Sequence, residues 1–300
     1  MSAAQRIAGA AAQAAGLWIG RKRADPRALA EARASVANLK PIVLVTGGSR
    51  GLGAALAERF ATAGSDVALV ARNADELEST ARAIAARTAR AAIAIPHDLT
   101  APGTPAALAT LLAERGYYVD ILINNAGTGL SGPFEGQSAD DIQRLIALNI
   151  ATLTALTQYW LPDMRARRHG GILNVASLGG AVPGPYQAVY YASKSYVLSL
   201  TEAIASETTG EGVRVSALAP GPLETGFHSA MNADRSLYRR LIPALTPERA
   251  AREAYLGYSL GRRVIVPGLG NTLGYIAVRL LPHTITTPII RVLLAPRSKV

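Results

Sequence analysis

Seven short apolar runs recur between residues 41 and 267, and helical stretches separate them. The runs are "PIVLVT" (41–46), "DVALVA" (66–71), "AAIAIP" (91–96), "VDILIN" (119–124), "GILNVAS" (171–177), "VRVSALAP" (213–220) and "RVIVP" (263–267). They are apolar throughout rather than alternating, so both faces of each strand must be buried. Strands that alternate with helices pair in parallel and carry helices on both sides of the sheet, with right-handed crossovers. The helix boundaries are written in the same sequence. Asn73 with Glu76 three residues later, and Ser138 with Asp141, read as N-terminal caps. The second pair predicts one unbroken helix to about residue 168. Thr246, Pro247 and Glu248 supply a cap, a first-turn proline and an acid matched to the helix dipole. The expectation is one α/β domain over 41–267, doubly wound around a parallel seven-stranded sheet. Residues 1–40 form a basic, helical extension and 268–300 a basic, apolar tail.

"TGGSRGLG" (46–53) lies between the first strand and the first helix of that domain. Gly47, Gly51 and Gly53 let the chain turn tightly, let a pyrophosphate approach the backbone, and let helix and strand pack closely. The helix N-terminus then offers N–H groups and a positive dipole end to phosphate. An NAD site wants a carboxylate at the C-terminal end of the second strand. Asp66 begins that strand, at the wrong edge; its far end reads "ARN", with Arg72 and Asn73 and no acid. Arg50, inside the turn, is a second cation. A guanidinium matches a 2′-phosphate in charge and geometry, which predicts NADP(H).

Further along, "HDLT" (97–100), "NNAG" (124–127), "LNI" (148–150), Ser177, "VYYASK" (189–194) and "PGPLET" (220–225) follow in order. Together with the glycine turn, over about 41–267, these residues resemble the short-chain dehydrogenase/reductase family. The resemblance implies a Rossmann fold and an oxidoreductase moving hydride between a nicotinamide and a carbonyl or secondary alcohol. It implies cofactor contacts at Gly47, Ser49, Arg50, Gly51, Leu52 and Gly53 in the turn, and at Arg72 and Asn73 after the second strand. Asp98, contacting adenine, and Leu99 follow, with Asn125, Ala126 and Gly127 on the nicotinamide side. Pro220, Gly221, Leu223 and Thr225 come last. Among the family's catalytic residues it places Asn149, which holds a relay water, then Ser177, Tyr190 and Lys194; the last two also touch the cofactor. Two adjacent tyrosines could serve, because helix neighbours three and four apart both face the lysine. Tyr190 stands 13 residues after Ser177 and four before Lys194, which is the family's spacing; Tyr191 has neither and is expected to pack against the sheet or an adjoining helix.

A tyrosine hydroxyl can pass a proton to or from the substrate oxygen, but its ordinary pKa is ~10. A nearby ammonium favours the phenolate, so Lys194 is expected to lower it. Ser177 would hold the oxygen and stabilise its developing charge. Candidate substrate walls are 128–134, 179–187 and 227–246, the last a long insertion of lid character. Phe227, Met231, Leu237, Tyr238 and Leu241 give it an apolar side, and Arg235, Arg239 and Arg240 face water or an acidic group. These walls suit a medium-sized hydrophobic carbonyl or alcohol, such as a 3-oxoacyl chain, a steroid-like ketone or another ketone or aldehyde.

Composition removes several other classes. The chain has no cysteine, which excludes disulfides and thiolate metal sites and fits a reducing, cytoplasmic setting. Its four histidines, His97, His169, His228 and His283, show no metal-ligand spacing. Of the net charge of +10, residues 1–40 carry +5 and residues 261–300 carry +6, leaving −1 for 41–260. A nucleic-acid footprint is therefore unsupported. The basic ends fit solvated tails, packing on the body, or contact with an anionic membrane surface; for the apolar runs of 273–300 the expectation is a helix covering the substrate cleft or a neighbouring subunit. Ile7–Ile19 is about 13 residues long, short of the ~20 needed to span a bilayer, and "RKR" (21–23) follows it; an amphipathic helix is expected there. By family habit the chain forms a homodimer or homotetramer. Two other readings remain: a catalytically idle NADP-binding sensor or scaffold, and a membrane-surface interaction protein that works through its ends.

Overall fold

The computed structural model describes residues 25–227, 231, 237–238 and 243–295. The helix expected over Ile7–Ile19 and the residues His228, Arg235, Arg239, Arg240 and Leu241 lie outside them. The seven expected runs form seven parallel strands: β1 (Lys40–Thr46), β2 (Asp66–Ala71), β3 (Ala92–Pro96), β4 (Tyr117–Asn124), β5 (Gly171–Val175), β6 (Arg214–Leu218) and β7 (Val264–Ile265). Their order in the sheet is β3-β2-β1-β4-β5-β6-β7. The chain runs outward from β1 in one direction and, from β4, in the other, so a crevice opens beyond the strand ends at the β1/β4 junction.

The helices, in chain order, are α1 (Pro26–Ala34), α2 (Gly51–Thr62), α3 (Ala74–Thr88), α4 (Thr104–Glu114), α5 (Ala139–Ile146), α6 (Leu153–Arg167), α7 (Ala188–Glu207), α8 (Pro247–Ser259), α9 (Leu269–Leu280) and α10 (His283–Leu294). Strand pleating sorts their partners. Val43 and Val45 of β1 pack with Leu56 and Phe60 of α2, Ile84 of α3 and Tyr258 of α8. Ile42 and Leu44 point the other way, into Leu108 and Leu112 of α4 and Trp160 and Met164 of α6. Cutting one of these fully buried side chains to alanine costs about 2–5 kcal/mol.

The three expected caps form. Asn73 accepts from the Glu76 N–H at 3.2 Å, Ser138 from Asp141 at 3.1 Å, and Thr246 from Arg249 at 3.2 Å. The helix that Ser138 opens is not unbroken. A π-helical segment, Ala147–Thr152, separates α5 from α6 and carries Asn149. The tail is helical: α9 and α10 fill 269–294, and Tyr275 of α9 joins Val197, Leu198, Ala217 and Ala219 in a buried cluster. Among the described residues no helix is long and apolar enough to cross a membrane.

Candidate active site

One cavity of about 1320 Å³ occupies the crevice at the β1/β4 junction. At one end lies the glycine turn between β1 and α2. Gly47 has φ +64°, and a Cβ there would come within 2.9 Å of the Ala126 backbone. A Cβ on Gly53 would overlap the Gly47 carbonyl oxygen. The turn therefore folds against itself so closely that only glycine fits. Asn125 fastens it to β4: its Nδ2 donates to the carbonyls of Thr46 and Gly47, both at 3.0 Å. The Thr46 hydroxyl oxygen accepts from the N–H groups of Asn125 (2.9 Å) and Ala126 (3.1 Å). Arg50, the residue before α2, makes no side-chain cap, so no cap claims the first-turn N–H groups. The Cβ-free cradle and the uncapped helix start fit the pyrophosphate of a dinucleotide.

Ser49, Leu52, Arg72, Asn73, Asp98 and Leu99 line the same end of the cavity. Arg50 and Arg72 are both exposed. Asp66, by contrast, sits at the opposite edge of the sheet, where it pairs with Arg90 at 3.0 Å and accepts from the Ala91 N–H. Asp98 accepts from the N–H and the hydroxyl of Thr100 at 2.9 and 2.7 Å. Those bonds, with Arg72 nearby, hold its carboxyl below the usual range. The Leu178 N–H donates to the Pro220 carbonyl at 2.9 Å. A Cβ on Gly221 would strike the Asn271 carboxamide of α9, and one on Gly51 would meet the Thr225 methyl at 3.3 Å. Leu223 forms a bridge with Leu245. All four residues of the 220–225 stretch named from sequence thus border the cavity.

At the centre of the cavity stand Ser177, Tyr190 and Lys194. Ser177 follows β5; its hydroxyl oxygen accepts from the Gly179 N–H at 3.1 Å, and it shares a hydrogen bond with the Tyr190 phenol. One turn further along α7, Lys194 donates from Nζ to the Val175 carbonyl at 2.8 Å. The electrostatics differ from the expectation. Burial pushes Tyr190 up to about 12, against the opposing pull of Ser177, and pushes Lys194 down to about 8. The lysine lies 5.9 Å from the tyrosine ring centroid and does not lower its pKa. In so dry a place, loss of hydration outweighs the attraction between the two.

The Asn149 side chain is fully engaged. Its Nδ2 donates to the Thr128 carbonyl (2.8 Å) and the Ser193 hydroxyl (3.1 Å), and its Oδ1 accepts from the Thr128 N–H (2.9 Å). With both amide hydrogens engaged, the side chain clamps the Thr128 backbone to Ser193 of α7. The open face of Gly127 borders both it and Lys194: a Cβ there would lie 3.3 Å from Asn149 Oδ1 and 3.5 Å from Lys194 Nζ. Tyr191 packs, as expected, against an adjoining helix, in a cluster with Leu145 of α5, Tyr190 and Met231. Its ring also fills the space that Gly179 and Gly184 leave, stands edge-on to Tyr190 at 6.0 Å, and lines the cavity.

A model of the short chain dehydrogenases matches residues 41–236. The chain belongs to the short-chain dehydrogenase/reductase family. It is 37% identical over 179 residues to the ketoacyl reductase HetN of Nostoc sp.; the match covers 60% of this chain and only 62% of that protein. A short-chain dehydrogenase from Sphingobium yanoikuyae, solved in complex with NADPH, is 32% identical with a TM-score of 0.72, covering 83% of this chain and 96% of the other. The bulky-bulky ketone specific alcohol dehydrogenase of Comamonas testosteroni is 29% identical, with a TM-score of 0.68 and coverage of 83% and 94%.

Tyr275 and Val278 of α9, and Ile289, Ile290, Leu293 and Leu294 of α10, wall the far side of the cavity. The tail thus covers the cleft, one of the two places expected for it, but with two helices rather than one. Another part of the cavity escaped the sequence. Gln187, at the start of α7, is buried, borders the cavity, and has no hydrogen-bond partner for its Nε2. A lone glutamine carries no pattern that would single it out.

Proposed function

We propose that this chain is an NADP(H)-dependent oxidoreductase acting on medium-sized hydrophobic ketones, aldehydes or the matching alcohols. The carrying observation is one cavity that holds Arg50 and Arg72 beside a glycine cradle at one end, Ser177–Tyr190–Lys194 at the centre, and apolar helices at the other. The bound nicotinamide would supply or accept a hydride. Tyr190, kept protonated by burial, is suited to give its proton to a carbonyl oxygen as reduction proceeds. Ser177, whose oxygen already accepts from Gly179, keeps its own O–H for that oxygen or for Tyr190. Lys194 uses one of its three donors on Val175 and retains two, which fit a ribose diol. Asn149 fixes the backbone that borders these groups. The unpartnered Gln187 Nε2 suits a second acceptor on the substrate, beside the reacting carbonyl, as in a 3-oxoacyl group.

Two structural neighbours support this reading, one solved with NADPH and one specific for bulky ketones; a third was solved with NADH, so the NADP preference rests on the arginines. Fluorescence titration of the purified protein with NADPH and with NADH, followed by a carbonyl panel, tests it. Tighter NADPH binding with turnover of hydrophobic ketones is the expected result. Preference for NADH would remove the arginine argument. Binding of NADPH without turnover of any carbonyl would favour an idle sensor.

A further inference from the structure

The helix pair α9–α10 turns a large apolar surface to solvent. Leu269, Leu273, Ile276 and Leu280 recur at intervals of four, three and four on α9, and so share one narrow arc of that helix. Ile285, Ile289 and Val292 do the same on α10, with Leu281 between the helices. All eight are exposed, from 44% at Leu281 to 79% at Leu280. The inward faces carry different residues, Asn271, Tyr275, Thr286 and Leu294, and these are buried. Single exposed leucines need no explanation, but a double stripe of eight does.

We propose that this outward face docks on an anionic lipid bilayer. Two observations choose lipid over a second copy of the chain. Residues 261–300 contain six Lys/Arg and no carboxylate. Arg291 stands in the last turn of α10, and Arg297 and Lys299 follow in the sequence; Arg279, in the last turn of α9, is already paired with Glu202 at 3.0 Å. A two-fold contact through this face would set that acid-free segment against itself, whereas anionic headgroups neutralise it while acyl chains take the stripe. The second observation is continuity. Ile289 belongs to the outward stripe and also lines the cavity, alongside Ile290 and Leu293. The apolar wall of the cavity thus runs out onto the docking face, so a carbonyl compound dissolved in the bilayer would have a dry route inward. That delivery step rests on the oxidoreductase reading; the docking does not.

Flotation of the full chain with vesicles tests the proposal. One set is pure phosphatidylcholine, and the other contains about a third phosphatidylglycerol. The protein is expected to float with the anionic vesicles, less so at high salt, and not with the neutral ones. The double variant Leu280→Asp/Val292→Asp changes exposed residues away from the cavity. It should lower partitioning by about tenfold or more while its far-UV circular dichroism stays that of the parent. Absence of flotation, equal flotation with neutral vesicles, or flotation unaltered in the double variant would each overturn the assignment. So would self-association in solution, measured by sedimentation, that the double variant abolishes. A protein that floats as expected but reduces no carbonyl supports docking and overturns delivery.

Discussion

The two ends of the cavity are made in different ways. The cofactor end is backbone: a turn held by Thr46 and Asn125, in which Gly47 and Gly53 leave no room for a side chain. The substrate end is side chains brought from distant parts of the chain, with Tyr191 after β5, Phe227 and Met231 from the insertion, and Tyr275 and Leu293 from the tail. Backbone geometry tolerates almost no substitution, so the first end is written in glycine spacing. Side-chain walls accept any residue of suitable size, so the second end can be rebuilt for another substrate without disturbing the first.

Changes at the two ends should therefore separate kinetically. Tyr190→Phe, at their meeting point, is expected to lower turnover by about 10²–10⁴-fold with nucleotide affinity unchanged, because only the transferable proton is lost. If turnover survived Tyr190→Phe and fell with Tyr191→Phe, the assignment of the proton donor would fail. Gly53→Ala should weaken NADPH binding by about a hundredfold or more in fluorescence titration, because its methyl group meets the Gly47 carbonyl. A variant that bound normally would show the turn to be pliable and dissolve the contrast.

Lys194 gives a prediction that depends on pH. Its folded pKa, about 8, lies below its ordinary 10.5. Between those values the unfolded chain holds a proton that the folded one lacks, so this group makes stability rise with pH, with its penalty fully present below pH 8. Comparing Lys194→Met with the parent by denaturant melts should show the variant gaining about 3 kcal/mol relative to the parent below pH 8, compared with their difference near 10.5, at ~1.4 kcal/mol per pH unit. A difference independent of pH would mean that Lys194 stays charged in the folded protein.

Arg72→Asp should shift the preference for NADPH over NADH by about 10–100-fold toward NADH, the worth of one charge-assisted contact made repulsive. An unchanged ratio would assign that arginine to solvent. Leu293→Ala is expected to raise KM for a bulky hydrophobic ketone about tenfold and to leave NADPH affinity alone. A matching loss of NADPH affinity would show the two ends to be coupled.

The same contrast explains what the sequence made legible. Strands such as "PIVLVT" and caps such as Asn73 are local, and each formed where its residues indicated. The cofactor turn is local too. The π segment at Asn149 could not be read, because "ALNIAT" has ordinary helical residues and the bonds its Asn149 makes to Thr128 and Ser193 are long-range. The pKa values of Tyr190 and Lys194 were expected to respond to each other, but burial, set by the whole fold, decided them. Tyr191 meets Leu145 of α5, the adjoining-helix contact expected of it, but the space beside Gly179 and Gly184 that also brings it to the cavity wall was not legible. The inner and outer faces of α9 could be separated by period, but nothing in the period said that Tyr275 would meet a cluster built by β6 and α7.

The position of α9 and α10 in the chain has a consequence for synthesis. Residues 269–294 leave the ribosome only after all seven strands have done so. The sheet can close and the glycine turn can form while the cleft still lacks its far wall. A chain released after residue 268 should therefore already bind NADPH, yet hold a ketone poorly. In the life of each molecule, affinity for the nucleotide would come first and selectivity for the substrate would be added last.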